Sequence, residues 1–116
     1  MHIEERSVEG VIVLDVKGKI TLADGDQLLK DKINSLLQQG RRKIVLNLED
    51  VPYIDSAGLG QIVGGYTTIT KQGGSLKLLN LTKRITDLLS ITKLLTVFET
   101  YENEADAVRS FTSARV

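Results

Sequence analysis

The sequence predicts an α/β fold with a mixed, mostly parallel sheet of four to five strands and about four helices. Short apolar runs rich in β-branched residues alternate with longer segments whose apolar residues recur at helical spacing. The resulting order, β-β-α-β-α-β-α-β-α, is typical of parallel strands joined by right-handed crossovers. The 116 residues, 41% of them hydrophobic, suffice for one core, so we expect a single domain over residues 1–116.

The first two strands are separated by Gly10, with "IEERSV" before a hairpin-like turn and "VIVLDVKG" after it. In the second run Ile12 and Leu14 lie on one face of the strand, while Val11 and Val13 lie on the other. Because this run is apolar on both faces at its start, we expect the second strand to be central in the sheet.

A first helix and a third strand follow. Asp24 and Gln27 have the spacing of a capping box at a helix start, and Gly40 is a typical helix stop. "RRKIVLNL" then indicates a buried strand. The residues that we expect to face the core from this helix are Leu29, Ile33, Leu36 and Leu37.

The second half of the chain contains a helix in "LGQIVGGYTTITKQGG" and a strand in "SLKLLNL". Thr82 starts the next helix, "LLTVFET" indicates a short strand or extended piece, and Asn103 caps a last helix. In "LLTVFET", core packing of Leu94, Leu95 and Phe98 is favoured over a role in partner binding. In the last helix, the residues expected to face inward are Ala107, Val108 and Phe111.

Composition excludes several functional classes. Lys and Arg total 15, as do Asp and Glu, so we expect no direct contact with nucleic acid. Cysteine is absent and His2 is the single histidine, which argues against Ser–His or Cys–His nucleophile pairs and against most zinc sites. The apolar runs are too short to span a bilayer. We therefore expect a cytoplasmic protein with few candidate catalytic side chains, no metal site and no membrane insertion.

The stretch "YIDSAGLG" contains the candidate site. The strand over Lys43–Leu48 ends, a loop containing Pro52 follows, and a helix begins near Ser56. Ser56 is thereby placed beyond the carboxyl end of a strand and at or next to a helix N-terminus. Ligands tend to bind there in open α/β sheets, and free backbone N–H groups there favour an anion.

The residues alone leave four interpretations of this stretch. Asp55 or Ser56 caps the helix, which chemistry alone favours because both residue types cap well. Ser56 is a hydrolase nucleophile, although Ile54 stands where the nucleophile elbow needs glycine.

The other two interpretations involve phosphate. The glycines form a nucleotide loop, although Gly58, Gly60 and Gly64 miss the dinucleotide spacing by one residue. Alternatively, Ser56 is itself phosphorylated by another protein, which adds about 1.5 to 2 negative charges.

The chain resembles the STAS domain, and specifically the bacterial anti-sigma-factor antagonists. The resemblance lies in "GKI", "KIVLNLEDVPYIDSAGLG", "GGSLKLLNL" and "LLSITKLLTVFETYENEADAV", which together cover nearly the whole sequence. It implies one STAS domain over residues 1–116, with helices packed largely on one side of the sheet. It also implies that Ser56, the first serine after the aspartate of the motif, is the phosphorylation site.

The resemblance implies partners as well. The anti-sigma factor is an ATP-dependent serine kinase that sequesters a sigma factor. The unphosphorylated antagonist binds this kinase and frees the sigma factor, phosphorylation abolishes binding, and a PP2C-type phosphatase reverses the modification. ATP and magnesium belong to the kinase, so no cofactor is expected here. The partner-binding residues that we expect are Asp55, Ser56, Ala57, Gly58, Gly60, Thr21 and Asp24.

Within that surface, Gly58 and Gly60 are expected to keep the helix start free of bulky side chains. Two features depart from the family pattern. Ala57 stands where many members have a second serine or a threonine, which leaves Ser56 as the acceptor. Lys19 and Thr21 replace acidic residues in the loop after the second strand, which lies near the phosphosite in the family.

The second departure leaves the identity of the partner open. The alternative function is a non-phosphorylated STAS scaffold in a signalling or transport assembly, and a serine hydrolase is the distant one. The sequence predicts no oligomeric state.

Overall fold

The computed structural model describes residues 1–21 and 28–113 and contains a five-stranded sheet in the order β1-β2-β3-β4-β5. The strands are β1 His2–Val8, β2 Val11–Lys17, β3 Lys43–Asp50, β4 Ser75–Leu79 and β5 Thr100–Tyr101. The helices are α1 Leu28–Gln38, α2 Ser56–Lys71, α3 Lys83–Ile91 and α4 Glu104–Ser113. Only the β1–β2 pair is antiparallel among these neighbours. The predicted mixed, mostly parallel sheet is confirmed.

The β1–β2 hairpin turns through Glu9 and Gly10, whose φ angles are 51° and 82°. Two successive residues with positive φ are typical of a type I′ turn, whose twist matches that of the flanking strands. β2 pairs with β1 on one side and with β3 on the other. The predicted hairpin and the predicted central position of the second strand are both confirmed.

The main core lies on the face of the sheet that α1, α2 and α3 cover. Ile12 and Leu14 of β2 belong to this core, whereas Val11 and Val13 belong to a smaller cluster on the opposite face. The helices contribute Leu29, Ile33, Leu36, Leu37, Leu59, Ile62, Ile69, Ile85 and Leu89 to the main core. The prediction that both faces of β2 are buried is therefore confirmed, as is the placement of most helices on one side.

The second face is covered by α4, whose Ala107 and Val108 pack on the smaller cluster as predicted. Lys77 of β4 lies beneath this helix with 6% of its surface exposed. Its Nζ donates to Ser110 Oγ at 2.8 Å and lies 4.3 Å from the centroid of the Phe111 ring. A carboxylate oxygen of Glu99 is 3.4 Å away. These partners compensate the burial of the charge, so Lys77 helps to fasten α4 to the sheet.

Two predicted helix caps are confirmed. Thr82 Oγ1 accepts a hydrogen bond from the backbone N–H of Ile85 at 3.3 Å, and Asn103 Oδ1 accepts one from Asp106 at 3.1 Å. The predicted capping box of Asp24 lies outside the described residues.

The prediction of a strand over "LLTVFET" is wrong except at its last residue, Thr100. The backbone N–H of Leu94 donates to the carbonyl of Leu89 at 2.8 Å, so this segment completes the end of α3. Phe98 is 5% exposed and meets the Tyr66 ring edge-on, with 5.0 Å between centroids. Leu94, like the neighbouring Leu95, packs partly buried against the main core, as the core interpretation expects.

Candidate functional site

The loop that follows β3 is held by the segment that follows β2. Ile20 forms an isolated parallel bridge with Ile54, and its backbone N–H donates to the carbonyl of Tyr53 at 3.1 Å. In return, the backbone N–H of Asp55 donates to the carbonyl of Ile20 at 3.4 Å. Ile20 is fully buried, so the backbone leading into the motif is fixed from both the core and the adjacent segment.

Asp55 is the N-cap of α2. Its backbone is extended, with φ of −104° and ψ of −179°, and its Oδ1 accepts a hydrogen bond from the backbone N–H of Gly58 at 2.7 Å. Ser56 is the first residue of the helix itself. Of the two capping possibilities that the sequence left open, the structure selects Asp55. The hydroxyl of Ser56 is therefore not used as the cap.

The surroundings of Ser56 are open. Ser56, Ala57 and Gly60 are exposed, and Asp55 is half-buried. Gly60 lies one turn after Ser56 on the same helix face, and a methyl group built there would meet no atom within 4 Å. The expectation that this glycine keeps the helix start accessible agrees with the structure, and another protein's active site could reach the Ser56 hydroxyl.

The reason expected for Gly58 is wrong. Gly58 is buried, and a Cβ built on it would lie 1.9 Å from the carbonyl oxygen of Ile20. Glycine is needed there because the helix start touches the backbone of the segment after β2, not because a partner approaches. Thr21, which was expected in the partner surface, is 8% exposed, so it too faces inward. Asp24 lies outside the described residues.

The electrostatics at the helix start favour a bound anion. The first backbone N–H groups of α2 have no partners within the helix ladder, and the helix dipole places partial positive charge there. Asp55 supplies one negative charge beside Ser56 and satisfies one of these N–H groups, that of Gly58. A phosphate on Ser56 would thus meet a favourable helix end and a carboxylate in sequence next to it.

A contact that sequence reasoning missed adjoins this loop. The guanidinium carbon of Arg84, near the start of α3, lies 4.4 Å from the centroid of the Tyr53 ring. Tyr53 is 37% exposed although it is a large aromatic residue. Tyr53 could have been singled out from the sequence, because it is an aromatic residue at the edge of the motif. Arg84 could not, because α3 reaches this loop through the fold and not through its spacing in the sequence.

Three further features concern the histidine, metal binding and membrane crossing. The single histidine, His2, has its Nε2 3.5 Å from a carboxylate oxygen of Glu4 at the start of the edge strand. Residues 1–21 and 28–113 contain no group of three or more His, Asp or Glu side chains suited to a metal ion. Among the helices described, none is both long and apolar enough to cross a membrane.

Comparison with known sequences gives consistent matches. The family model of the STAS domain matches residues 2–107. The anti-sigma-B factor antagonist of Bacillus subtilis is 35% identical over 99 residues, which cover 85% of this chain and 89% of the relative. The anti-sigma F factor antagonist of Paenibacillus polymyxa is 26% identical over 108 residues, covering 93% and 92% of the two chains.

Solved structures agree on the fold. The crystal structure of the Thermotoga maritima protein TM1081 superposes with a TM-score of 0.86 at 27% identity and covers 93% of this chain and 92% of its own. SpoIIAA superposes with a TM-score of 0.74 in its phosphorylated form, at 19% identity and with 95% and 99% coverage. Its unphosphorylated form gives 0.80 at 18% identity, with 97% of each chain covered. With this sheet order, these helices and a family model that spans residues 2–107, the chain belongs to the STAS domain family.

Proposed function

We propose that this protein is an anti-sigma-factor antagonist whose binding to its anti-sigma factor is switched off by phosphorylation of Ser56. One observation carries the proposal. Ser56 is exposed at the first position of α2, while the neighbouring Asp55 performs the capping role that would otherwise explain a serine there. The relatives named as antagonists of anti-sigma factors support the same assignment.

The switch follows from charge at the surface. In the unphosphorylated state, Ser56, Ala57 and Gly60 are exposed and carry only small side chains, so a kinase can approach the start of α2. Phosphorylation adds about 1.5 to 2 negative charges beside Asp55. The N-terminus of α2 tolerates that charge. An acidic partner surface is repelled by the phosphate, and an apolar partner surface would have to remove water from it, which costs free energy. The effect therefore acts on binding while the fold persists.

The kinase, the phosphatase and this chain have separate roles. The anti-sigma factor is a serine kinase that supplies ATP, magnesium and the catalytic groups, and this chain supplies the acceptor hydroxyl. A PP2C-type phosphatase returns Ser56 to the hydroxyl form. The protein thus acts as a regulatory binding partner in the cytoplasm and not as an enzyme. That SpoIIAA, with the same fold, has been solved in phosphorylated and unphosphorylated forms supports a modification of this kind.

The test is phosphorylation by the candidate kinases encoded in the same genome, followed by intact mass and peptide mapping. We expect one phosphate, on Ser56. Ser56→Ala should remove it, whereas Ser90→Ala, a matched exposed serine on α3, should not. Ser56→Ala should also remain bound to the kinase in the presence of ATP, and Ser56→Asp should bind more weakly than the wild type.

If none of these kinases modifies or captures the wild-type protein, the antagonist role is wrong. The non-phosphorylated STAS scaffold then becomes the better account, with Ser56 an ordinary helix-start residue.

A further inference from the structure

We propose that the exposed face of α3, together with Tyr53, forms a second part of the surface that binds the anti-sigma factor, and that it receives a carboxylate flanked by apolar side chains. This α3 patch consists of Tyr53, Arg84, Leu88 and Ile91. The inference rests on the proposed function, because its occupant is the same kinase that is proposed to modify Ser56.

The charged centre of the patch is Arg84. Its side chain is exposed and stacks over the Tyr53 ring at 4.4 Å, and no carboxylate in the described part of the chain pairs with it. The neighbouring Lys83, by contrast, has its Nζ 3.1 Å from a carboxylate oxygen of Asp87. Stacking orients the guanidinium and leaves its edge free to donate two parallel hydrogen bonds. A carboxylate is the group that fits this edge best.

The apolar part of the patch lies on the same helix face. Arg84, Leu88 and Ile91 follow the spacing i, i+4, i+7 and therefore align along α3. Ile91 is 78% exposed, and Leu88 is half-buried. Together with Asp87 these three residues line a surface cavity of about 330 Å³. An isoleucine so exposed contributes little to the core, and exposed apolar groups clustered around a cavity are typical of protein-binding surfaces.

The composition of the patch indicates a protein partner with acidic and apolar groups. Tyrosine and arginine are enriched among residues that dominate binding energy at interfaces. An unpaired cation beside apolar side chains is complementary to a carboxylate with apolar neighbours. The net charge of zero over the whole chain gives no general attraction to nucleic acid.

Position connects the patch to the proposed switch. Tyr53 lies in the loop that leads into α2, three residues before Ser56, and its carbonyl accepts a hydrogen bond from the backbone N–H of Ile20. A kinase whose active site covers Ser56 can therefore extend across Tyr53 to Arg84, whose guanidinium carbon lies 4.4 Å from the Tyr53 ring, and from there along α3. The patch adds affinity for the partner, while the charge state of Ser56 controls whether that partner stays.

The experiment measures the affinity of unphosphorylated full-length protein for the cognate kinase by calorimetry. We expect Arg84→Glu to weaken binding by at least about tenfold, and Ile91→Ser to weaken it by a comparable factor. The matched controls are Lys83→Glu, the same charge change one residue away, and Val97→Ser, a residue outside the patch that is 43% exposed. Both controls should bind as the wild type does, and thermal unfolding verifies that all four variants are folded.

Salt provides a second readout. The wild-type affinity should fall as sodium chloride rises, and it should fall less steeply for Arg84→Gln, because the screened charge pair is missing. Equal affinities for wild type and Arg84→Glu, or equal losses in Arg84→Glu and Lys83→Glu, would overturn the proposal. So would patch variants that change only self-association in sedimentation, which would assign the patch to a second copy of the chain.

The two proposals fail in different ways. If the wild-type protein binds none of the kinases, the proposed function is wrong and this inference falls with it. If the wild type binds and is phosphorylated on Ser56 while the patch variants bind equally well, only the α3 patch is refuted.

Discussion

At the scale of single residues, Asp55 and Ser56 divide two roles that either residue type can perform. Asp55 accepts the hydrogen bond of the Gly58 backbone N–H, at 2.7 Å, and has the extended backbone of an N-cap. Ser56 follows as the first helical residue with its side chain exposed. A residue that caps is committed to the fold, whereas a residue that does not cap is available for modification.

Replacing Asp55 by alanine should lower the free energy of unfolding by about 1 kcal/mol, because the Gly58 N–H loses its acceptor. Asp55→Asn keeps an oxygen acceptor and should lose much less. Urea unfolding of the two variants measures the difference. Equal stability of Asp55→Ala and the wild type would show that the cap contributes nothing.

The two glycines at the start of α2 should respond to alanine in opposite directions. A Cβ at position 58 would lie 1.9 Å from the Ile20 carbonyl oxygen, which is backbone, whereas one at position 60 meets nothing within 4 Å. Gly58→Ala should therefore be strongly destabilised or fail to fold. Gly60→Ala should gain up to about 1 kcal/mol, because alanine is the better helix former. Melting temperatures test the pair, and a destabilised Gly60→Ala would contradict this account.

At the scale of elements, one polar network joins the edge hairpin to α4. The Arg6 guanidinium donates to the Asp15 carboxylate at 2.6 and 3.0 Å and to Glu104 of α4 at 2.7 Å. The side-chain amide of Asn47, in β3, donates to Asp15 Oδ1 at 2.8 Å, and the side-chain amide of Asn80 donates to Asn47 Oδ1 at 3.2 Å. These bonds cross the sheet on the face that α4 covers. They supplement the small apolar cluster beneath that helix.

This network should make stability fall in acid. The Arg6 guanidinium, aided by Asn47, holds the pKa of Asp15 below its ordinary value of 3.8, although burial acts in the opposite direction. Because the pKa is lower in the folded state, the stabilisation is complete above the unfolded value. It is lost as pH falls through the folded one.

The variant Asp15→Asn isolates that effect. It should be less stable than the wild type near neutral pH by an amount on the order of 1 kcal/mol, since the Arg6 side chain is 41% exposed and solvent screens its interaction with Asp15. Its stability should also decline less between about pH 5 and about pH 2. Asp87→Asn, which removes only an exposed pair with Lys83, serves as the control. Parallel stability curves for Asp15→Asn and wild type would contradict the assignment.

Elements with a strong apolar pattern were predictable, and elements defined by distant contacts were not. The two apolar faces of β2 predicted its central position, because alternation along a strand reports both surroundings directly. "LLTVFET" has the composition of a strand, but its backbone completes the end of α3 and Phe98 packs on Tyr66. Composition carries no information about such a partner.

The candidate site shows the same limit. The motif predicted the location of Ser56, but the choice between Asp55 and Ser56 as the cap depends on backbone geometry that both residues could adopt. Burial of Gly58 depends on Ile20, which is distant in sequence. The pairing of Tyr53 with Arg84 likewise depends on how α3 packs.

At the scale of the whole molecule, charge on Ser56 should leave the fold intact. Ser56 is exposed at a helix N-terminus, where a negative charge is favourable by about 0.3 to 1 kcal/mol. Ser56→Glu should thus melt at or slightly above the wild-type temperature and keep its circular dichroism spectrum. Loss of more than about 1 kcal/mol of stability would mean that the switch acts through unfolding and not through the surface.

The measurement that tests the central claim most directly is the affinity of the anti-sigma factor for two forms of this protein. One form is unmodified, and the other carries a phosphate on Ser56 verified by peptide mapping. The account predicts tight binding of the unmodified form and binding at least about a hundredfold weaker for the phosphorylated form, a difference of about 2.7 kcal/mol. Equal affinity of the two forms would contradict it.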